Sequence, residues 1–250
     1  MGVFVETFHR FGVDITVDEA RGPMGLPKRD HIAAVLGLPR VAKAWEMATG
    51  HPATEADVDA LYAAFIPLNV EVVTDYADLI PGARATIDSL RARKLKIGST
   101  TGYTREIMAP VLPLAAAQGY APDNLVCAGD LPTGRPTPLM MYRTFLDLGV
   151  WPAATVVKVD DTEPGIAEGR AAGTWTVGVA LTGNLTGLSA EALAALSDVE
   201  RQALRHAATK RLIEAGADYV IDSVADLLPV LDAIEGRLSQ GHLPPPYALN

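Results

Sequence analysis

The chain has little of what would place it outside a reducing, aqueous setting. It carries one cysteine, Cys127, in 250 residues, so no intrachain disulfide can form. That suits a reducing compartment, and the lone thiol reads as a small buried hydrophobe. No apolar run approaches the roughly 20 residues of a membrane helix. The opening MGVFVETFHRFG is too charged, and its apolar run too short, for a secretion signal. Basic residues are outnumbered, 21 Lys and Arg against 30 Asp and Glu, for a formal charge of −9. Nucleic-acid binding needs a basic face, which this balance disfavours. There is no internal repeat and no low-complexity segment. The expectation is a cytoplasmic protein with neither nucleic acid nor membrane as partner.

What is present divides in two. Apolar residues make up 49% of the chain, enough for one large α/β domain or a core with a smaller cap. Up to about residue 80 the pattern is helical. Val3, Phe4, Phe8 and Phe11 form a stripe at helix spacing, stopped by Gly12. Thr16 with Glu19 has the spacing of a capping box. Pro27 suits a first helical position ahead of Lys28 to Leu36. Thr54 with Asp57 opens a further helix through Leu61 and Phe65. After Pro81-Gly82 short apolar strands alternate with helices. Strands are expected at Leu95 to Gly98, Leu125 to Cys127, Thr155 to Val159, Trp175 to Val179 and Tyr219 to Ile221. Helices are expected near 83–93, 104–117, 137–148, 163–172 and 189–215. Such alternation predicts a doubly wound parallel sheet covered on both faces. The predicted division is a helical cap over 1–78, an α/β core over 79–240 and a tail over 241–250, with Pro244 to Tyr247 frayed.

Sheets of this kind bind ligands at the carboxyl ends of their strands. Gly98-Ser99-Thr100-Thr101-Gly102 lies at one such end and suits either an anion-binding turn or an ordinary capped βα turn. Asp160 and Asp161 close another strand and suit either a hard cation such as Mg²⁺ or the capping of the next helix. Arg135, in Gly134-Arg135-Pro136, is able to fork onto phosphate oxygens or to sit solvated in its loop. In the helical region Pro23-Met24-Gly25-Leu26-Pro27-Lys28-Arg29-Asp30-His31 stands out. A lysine in the first turn of a helix meets the positive end of the dipole, which lowers its pKa and favours an amine nucleophile. His31, three residues on, shares its face. A solvated lysine and a surface histidine are the plainer alternative.

Taken together, EARGPMGLPKRDHI (Glu19 to Ile32), KIGSTTGYTRE (Lys96 to Glu106), GRPTP (Gly134 to Pro138), VVKVDDT (Val156 to Thr162) and AGTWTVGV (Ala172 to Val179) resemble the phosphonoacetaldehyde hydrolase family of the haloacid-dehalogenase superfamily. The resemblance runs in family order over essentially the whole chain. It implies that Lys28 forms an imine with the aldehyde of phosphonoacetaldehyde and acts as an electron sink for carbon–phosphorus cleavage to acetaldehyde and phosphate. Thr101 and Gly102 would hold phosphoryl oxygens, with Arg135 at the family's basic position. Asp161, with Asp160 beside it, would hold Mg²⁺. Met24, Gly25 and His31 would line the pocket next to Lys28. A homodimer through the cap is implied, and the stripe from Val3 to Phe11 either serves it or packs within the cap.

The chain departs from the superfamily in two places. The strand that should end in an aspartate nucleophile is not found, and it belongs between the strands ending at Ser99 and Val159. Asp14 lies between two cap helices and does not replace it. A chain of this form is expected to turn over slowly and to dissolve poorly, with a start codon lying upstream of Met1 or a true deletion as the cause. The second departure is Gly165, where relatives carry a second acid. A phosphate-ester phosphatase, or a non-catalytic remnant that binds phosphorylated ligands, remains open as an alternative. The first would not need Lys28.

Overall fold

The N-terminal third is built from helices whose ends the sequence signals locally. The computed structural model describes residues 1–246. Helices α1 (Gly2–Arg10), α2 (Val17–Arg21), α3 (Lys28–Leu36), α4 (Pro39–Thr49) and α5 (Glu55–Val72) form the cap. Both expected capping boxes exist, with Thr16 and Glu19 satisfying each other's backbone at α2 and Thr54 with Asp57 at α5. Pro27 is the N-cap of α3 rather than its first residue, so Lys28 opens the helix. Phe4 and Phe8 are buried with Phe65, Leu61, Ile32 and Trp45 in one apolar cluster. The buried part of the α1 stripe therefore packs inside the cap. Helix α4 carried no expectation from the sequence.

The core begins with α6 (Ala83–Ala92) and continues through β1 (Gly98–Thr101), α7 (Arg105–Ala117), β2 (Asn124–Cys127), α8 (Leu139–Leu148), β3 (Val157–Asp160), α9 (Glu163–Ala172) and β4 (Trp175–Val179). It closes with α10 (Ala190–Ala195), α11 (Asp198–Glu214), β5 (Tyr219–Ile221) and α12 (Leu227–Ser239). Strand β1 starts three residues later than expected. The stretch expected as one helix over 189–215 is two, because Leu196 is extended and Ser197 opens a new capping box. All strand pairs are parallel, as strand–helix alternation requires.

The sheet is in two pieces. Strands β1 and β2 pair with each other, and β3, β4 and β5 form the order β3–β4–β5. Strand β4 shows why both faces are covered, since all five of its residues are buried. Trp175, Val177 and Val179 point to Leu227 and Ile234 of α12. The intervening Gly178 lies against Leu212 of α11 on the other face, where a Cβ would approach that side chain to 3.0 Å. The division of the sheet falls between β1 and β3, the lane where the sequence reading places the absent strand. The predicted tail contains 241–246 within the described residues, while Tyr247 lies outside them. No described helix is long and apolar enough to cross a membrane.

Candidate active site

Three core loops close on one segment of the cap. The segment 23–27 leads into α3, and each contact needs a residue without a side chain. A Cβ on Gly102, after β1, would lie 2.6 Å from the Leu26 carbonyl oxygen. One on Gly134, after β2, would lie 2.8 Å from Pro27 Cγ. One on Gly25 would lie 2.4 Å from the hydroxyl of Thr162, after β3, and Gly25 also has φ +97°. The strand ends that carry Thr101, Arg135 and Asp160–Asp161 are thus brought under Met24, Gly25 and Lys28.

Lys28 is buried at 4% exposure. Its ammonium lies 3.7 Å from Met24 Sδ, 4.8 Å from the Tyr103 ring centroid and 5.5 Å from that of Phe4. Burial, and then the charge of Arg135, lower its pKa from 10.5 to about 8. Aromatic faces and a thioether stabilise an ammonium less than a carboxylate does, so the free amine is accessible near neutral pH.

His31 is fully buried and stacked on Phe4, with ring centroids 4.1 Å apart. Its Nε2 lies 2.7 Å from the Ala20 carbonyl oxygen, which only accepts, so Nε2 carries the proton and donates it. Nδ1 is buried without a partner. Burial, and then the Lys28 charge, lower the pKa to about 3, so the ring is neutral.

Below the lysine lies a buried charge cluster. Arg135 Nη2 donates to the Thr100 carbonyl at 2.7 Å and to its hydroxyl at 3.1 Å, and pairs with Asp160 Oδ2 at 3.1 Å. Its Nε lies 3.2 Å from Glu168 Oε2. Lys158 Nζ donates to Glu168 Oε2 at 2.7 Å and to Thr100 Oγ1 at 2.8 Å, and stands 3.3 Å from Asp160 Oδ2. Thr162 donates its backbone N–H and its hydroxyl to Asp160 Oδ1. Burial opposes the charged form of Asp160, but Arg135 and Lys158 outweigh it and hold its carboxyl at about 2. The Asp160 carboxylate also fills the space a side chain at Gly165 would need, with its Cγ 2.0 Å from that Cβ position. An acid at 165 has no room in this arrangement.

Asp161 differs from its neighbour. Its Oδ2 accepts the Asn184 N–H at 2.7 Å, and burial followed by the charge of Asp160 pushes its pKa up. Thr101 accepts the Tyr103 N–H at 3.1 Å and so shapes the turn that aims Tyr103 at the lysine. Among the described residues no three His, Cys, Asp or Glu side chains are placed to share one cation. Asp161 is the carboxylate of the pair not committed to Arg135 or Lys158, and a hard ion there would have it and water or substrate oxygens as ligands.

The sequence reading placed Thr100 only within an anion-binding or capped turn, and it missed Tyr103, Lys158 and Glu168. Lys158 had a signal, since a charged residue inside the apolar run VVKV is costly unless a buried partner meets it. Glu168 had none, because its partners come from β1, β3 and the loop after β2.

A family model described as haloacid dehalogenase-like hydrolase matches residues 9–173. A phosphonoacetaldehyde hydrolase of Paraburkholderia phytofirmans is 56% identical over 98% of this chain and 91% of its own length. The chain belongs to the phosphonoacetaldehyde hydrolase family of haloacid dehalogenase-like hydrolases. Another member, from Aeromonas hydrophila, is 47% identical over 97% of this chain and 88% of its own. The crystal structure of a phosphonoacetaldehyde hydrolase-like protein from Oleispira antarctica superposes with a TM-score of 0.96 at 44% identity, covering 97% of this chain and 88% of that one.

Proposed function

We propose that the chain acts on phosphonoacetaldehyde, with Lys28 as the amine that carries the aldehyde. The observation that supports this most is the setting of Lys28: buried, bound to no carboxylate, with a pKa lowered to about 8, and seated over Arg135 and the end of β1. The unprotonated amine adds to the aldehyde and expels water to give an imine. When the carbon–phosphorus bond breaks, its electron pair moves onto the carbon and is drawn into the protonated imine as an enamine. The phosphoryl group passes to an oxygen nucleophile and finally to water. Protonation of the enamine carbon and hydrolysis of the imine return Lys28 and release acetaldehyde, so substrate and one water give acetaldehyde and phosphate.

Arg135 is the group for the phosphonate. Its Nη2 is taken by Thr100 and Asp160 and its Nε faces Glu168 at 3.2 Å, which leaves the two Nη1 hydrogens to meet phosphoryl oxygen. Gly102 N–H and the Thr101 turn add donors at the start of α7. Met24 and Gly25 wall the lysine from water, and the neutral His31 packs behind it as a fixed donor to Ala20. A bound Mg²⁺ held by Asp161 would neutralise phosphoryl charge.

Slow turnover belongs to the same reading. Its support is that Asp160 and Glu168 are held by Arg135 and Lys158, and Asp161 by the Asn184 amide. The test is reduction with borohydride in the presence of phosphonoacetaldehyde. The expected result is a covalent adduct on the Lys28 peptide that is absent in Lys28→Arg. An adduct elsewhere, or none, overturns the lysine's role and favours an ester phosphatase.

A further inference from the structure

Arg21 closes α2 in the cap, and its guanidinium crosses to the loop that follows β4. Nη1 donates to the Thr186 carbonyl at 3.3 Å and Nη2 to the Gly187 carbonyl at 3.4 Å. The contact is shaped for it. Gly187 has φ +63°, and a Cβ there would fall 1.3 Å from Arg21 Nη1, so the missing side chain lets the guanidinium lie against the backbone. Arg21 Nε is buried without a partner. The guanidinium as a whole is part-buried, with the Gly187 contact at its exposed edge, and the two carbonyls are its hydrogen-bond acceptors.

The loop transmits that contact to the core. The buried Thr186 hydroxyl shares its proton between the Leu181 carbonyl at 2.6 Å and the Gly183 carbonyl at 3.0 Å, which ties the loop into one turn. Two residues before Thr186, the Asn184 N–H donates to Asp161 Oδ2 at 2.7 Å. A Cβ on Gly183 would lie 2.7 Å from that of Asp161, so loop and acid touch directly. Cap residue, loop and strand-end acid form one continuous series of contacts.

We propose that Arg21 is a positioning residue: its grip on the Thr186 and Gly187 carbonyls holds the loop 181–187 against Asp161, so that the acid is fixed only while the cap is seated. Seating the cap then does two things at once, burying Lys28 and ordering the acid beneath it. The link to the reaction rests on Asp161 serving as the metal-holding acid in the reading above. The mechanical coupling does not.

The test is amide hydrogen exchange on the full chain without ligand, resolved at Asn184, for the unaltered protein, Arg21→Ala and Arg21→Lys. Arg21→Ala is expected to speed exchange at Asn184 about tenfold while leaving β3 to β5 unchanged. Arg21→Lys keeps a cation able to reach a carbonyl and is expected to recover part of the protection. Unchanged exchange at Asn184 in Arg21→Ala overturns the proposal. So does a rise spread evenly over the strands, or a lysine variant no better protected than alanine. Failure of Lys28 to trap an aldehyde would overturn the functional reading and leave this result standing.

Discussion

The ammonium of Lys28, a cap residue, stands 4.8 Å from the ring centroid of Tyr103, a core residue just after β1. With the cap against the core the lysine lies out of water and beside an aromatic face. Burial is the larger cause of its lowered pKa, about 8 against an ordinary 10.5. The rate of borohydride trapping with an aldehyde is therefore expected to rise through a midpoint near pH 8. The same shift has a consequence for stability. Between about pH 8 and 10.5 the unfolded chain holds a proton that the folded chain has released, so stability rises with pH across that window. Lys28→Met removes the buried charge and is expected to gain on the order of 2 kcal/mol at pH 7, with the gain gone by pH 10.5. Urea titrations at the two pH values measure it. A variant no more stable at pH 7 would show that the aromatic faces already compensate the charge.

Gly25 is the point where the cap segment rests on Thr162. Its φ of +97° disfavours any side chain, and a Cβ would meet the Thr162 hydroxyl at 2.4 Å. Gly25→Ala should cost about 2 kcal/mol or more and lift the segment that carries Lys28. Thermal unfolding reads the first effect. The second appears as a trapping midpoint displaced upward, toward that of a solvated lysine. A variant that unfolds earlier but traps at the same pH would separate the contact from the lysine's environment.

Glu168 is fully buried, and its Oε2 accepts from Lys158 and Thr100 and lies 3.2 Å from Arg135 Nε. Removing it takes one carboxylate from two buried cations and leaves Asp160 to serve both, so Glu168→Ala is expected to cost about 3 kcal/mol. Lys158→Met with Glu168→Leu removes both members of the closest pair and should cost less than the sum of the single changes. A double-mutant cycle by urea denaturation measures the coupling, expected at 2 kcal/mol or more. An additive pair would place the stabilisation in packing rather than charge.

Local signals carried much of this architecture. Capping boxes at Thr16 and Thr54, and the period of apolar residues in the core, belong to stretches of a few residues and are readable without a fold. The placing of Thr101 and Asp161 at strand ends follows from parallel topology, while Arg135 comes from the loop eight residues beyond β2. The charge cluster was not legible, because Glu168 meets Thr100 across 68 residues of chain and Lys158 across 10. The fork expected of Arg135 also depended on what else took its nitrogens. The join at residue 196 was hidden, since Leu196 and Ser197 interrupt a run that otherwise keeps helical composition.

The facing edges of β1 and β3 bear on turnover. Each strand has a partner on one side only, and across the lane the contacts are side chains, with Arg135 taking the Thr100 carbonyl and Lys158 its hydroxyl. A carboxylate attacking phosphorus needs an oxygen that reaches the phosphoryl group; Asp160 is held through both oxygens, Asp161 through Oδ2, and Glu168 through Oε2 with its Oε1 fully buried. Acetaldehyde release with Mg²⁺ present is therefore expected to stay below about 0.01 s⁻¹, roughly a thousandfold under an ordinary enzyme rate, even where Lys28 traps the aldehyde. A coupled assay for acetaldehyde measures the first and borohydride reduction the second. Turnover in the ordinary range would mean that substrate releases one of the three carboxylates. Asp160→Asn, Asp161→Asn and Glu168→Gln would then narrow the choice, with loss of release in Asp161→Asn separated from loss of the metal-holding acid by repeating the assay over a range of Mg²⁺ concentrations.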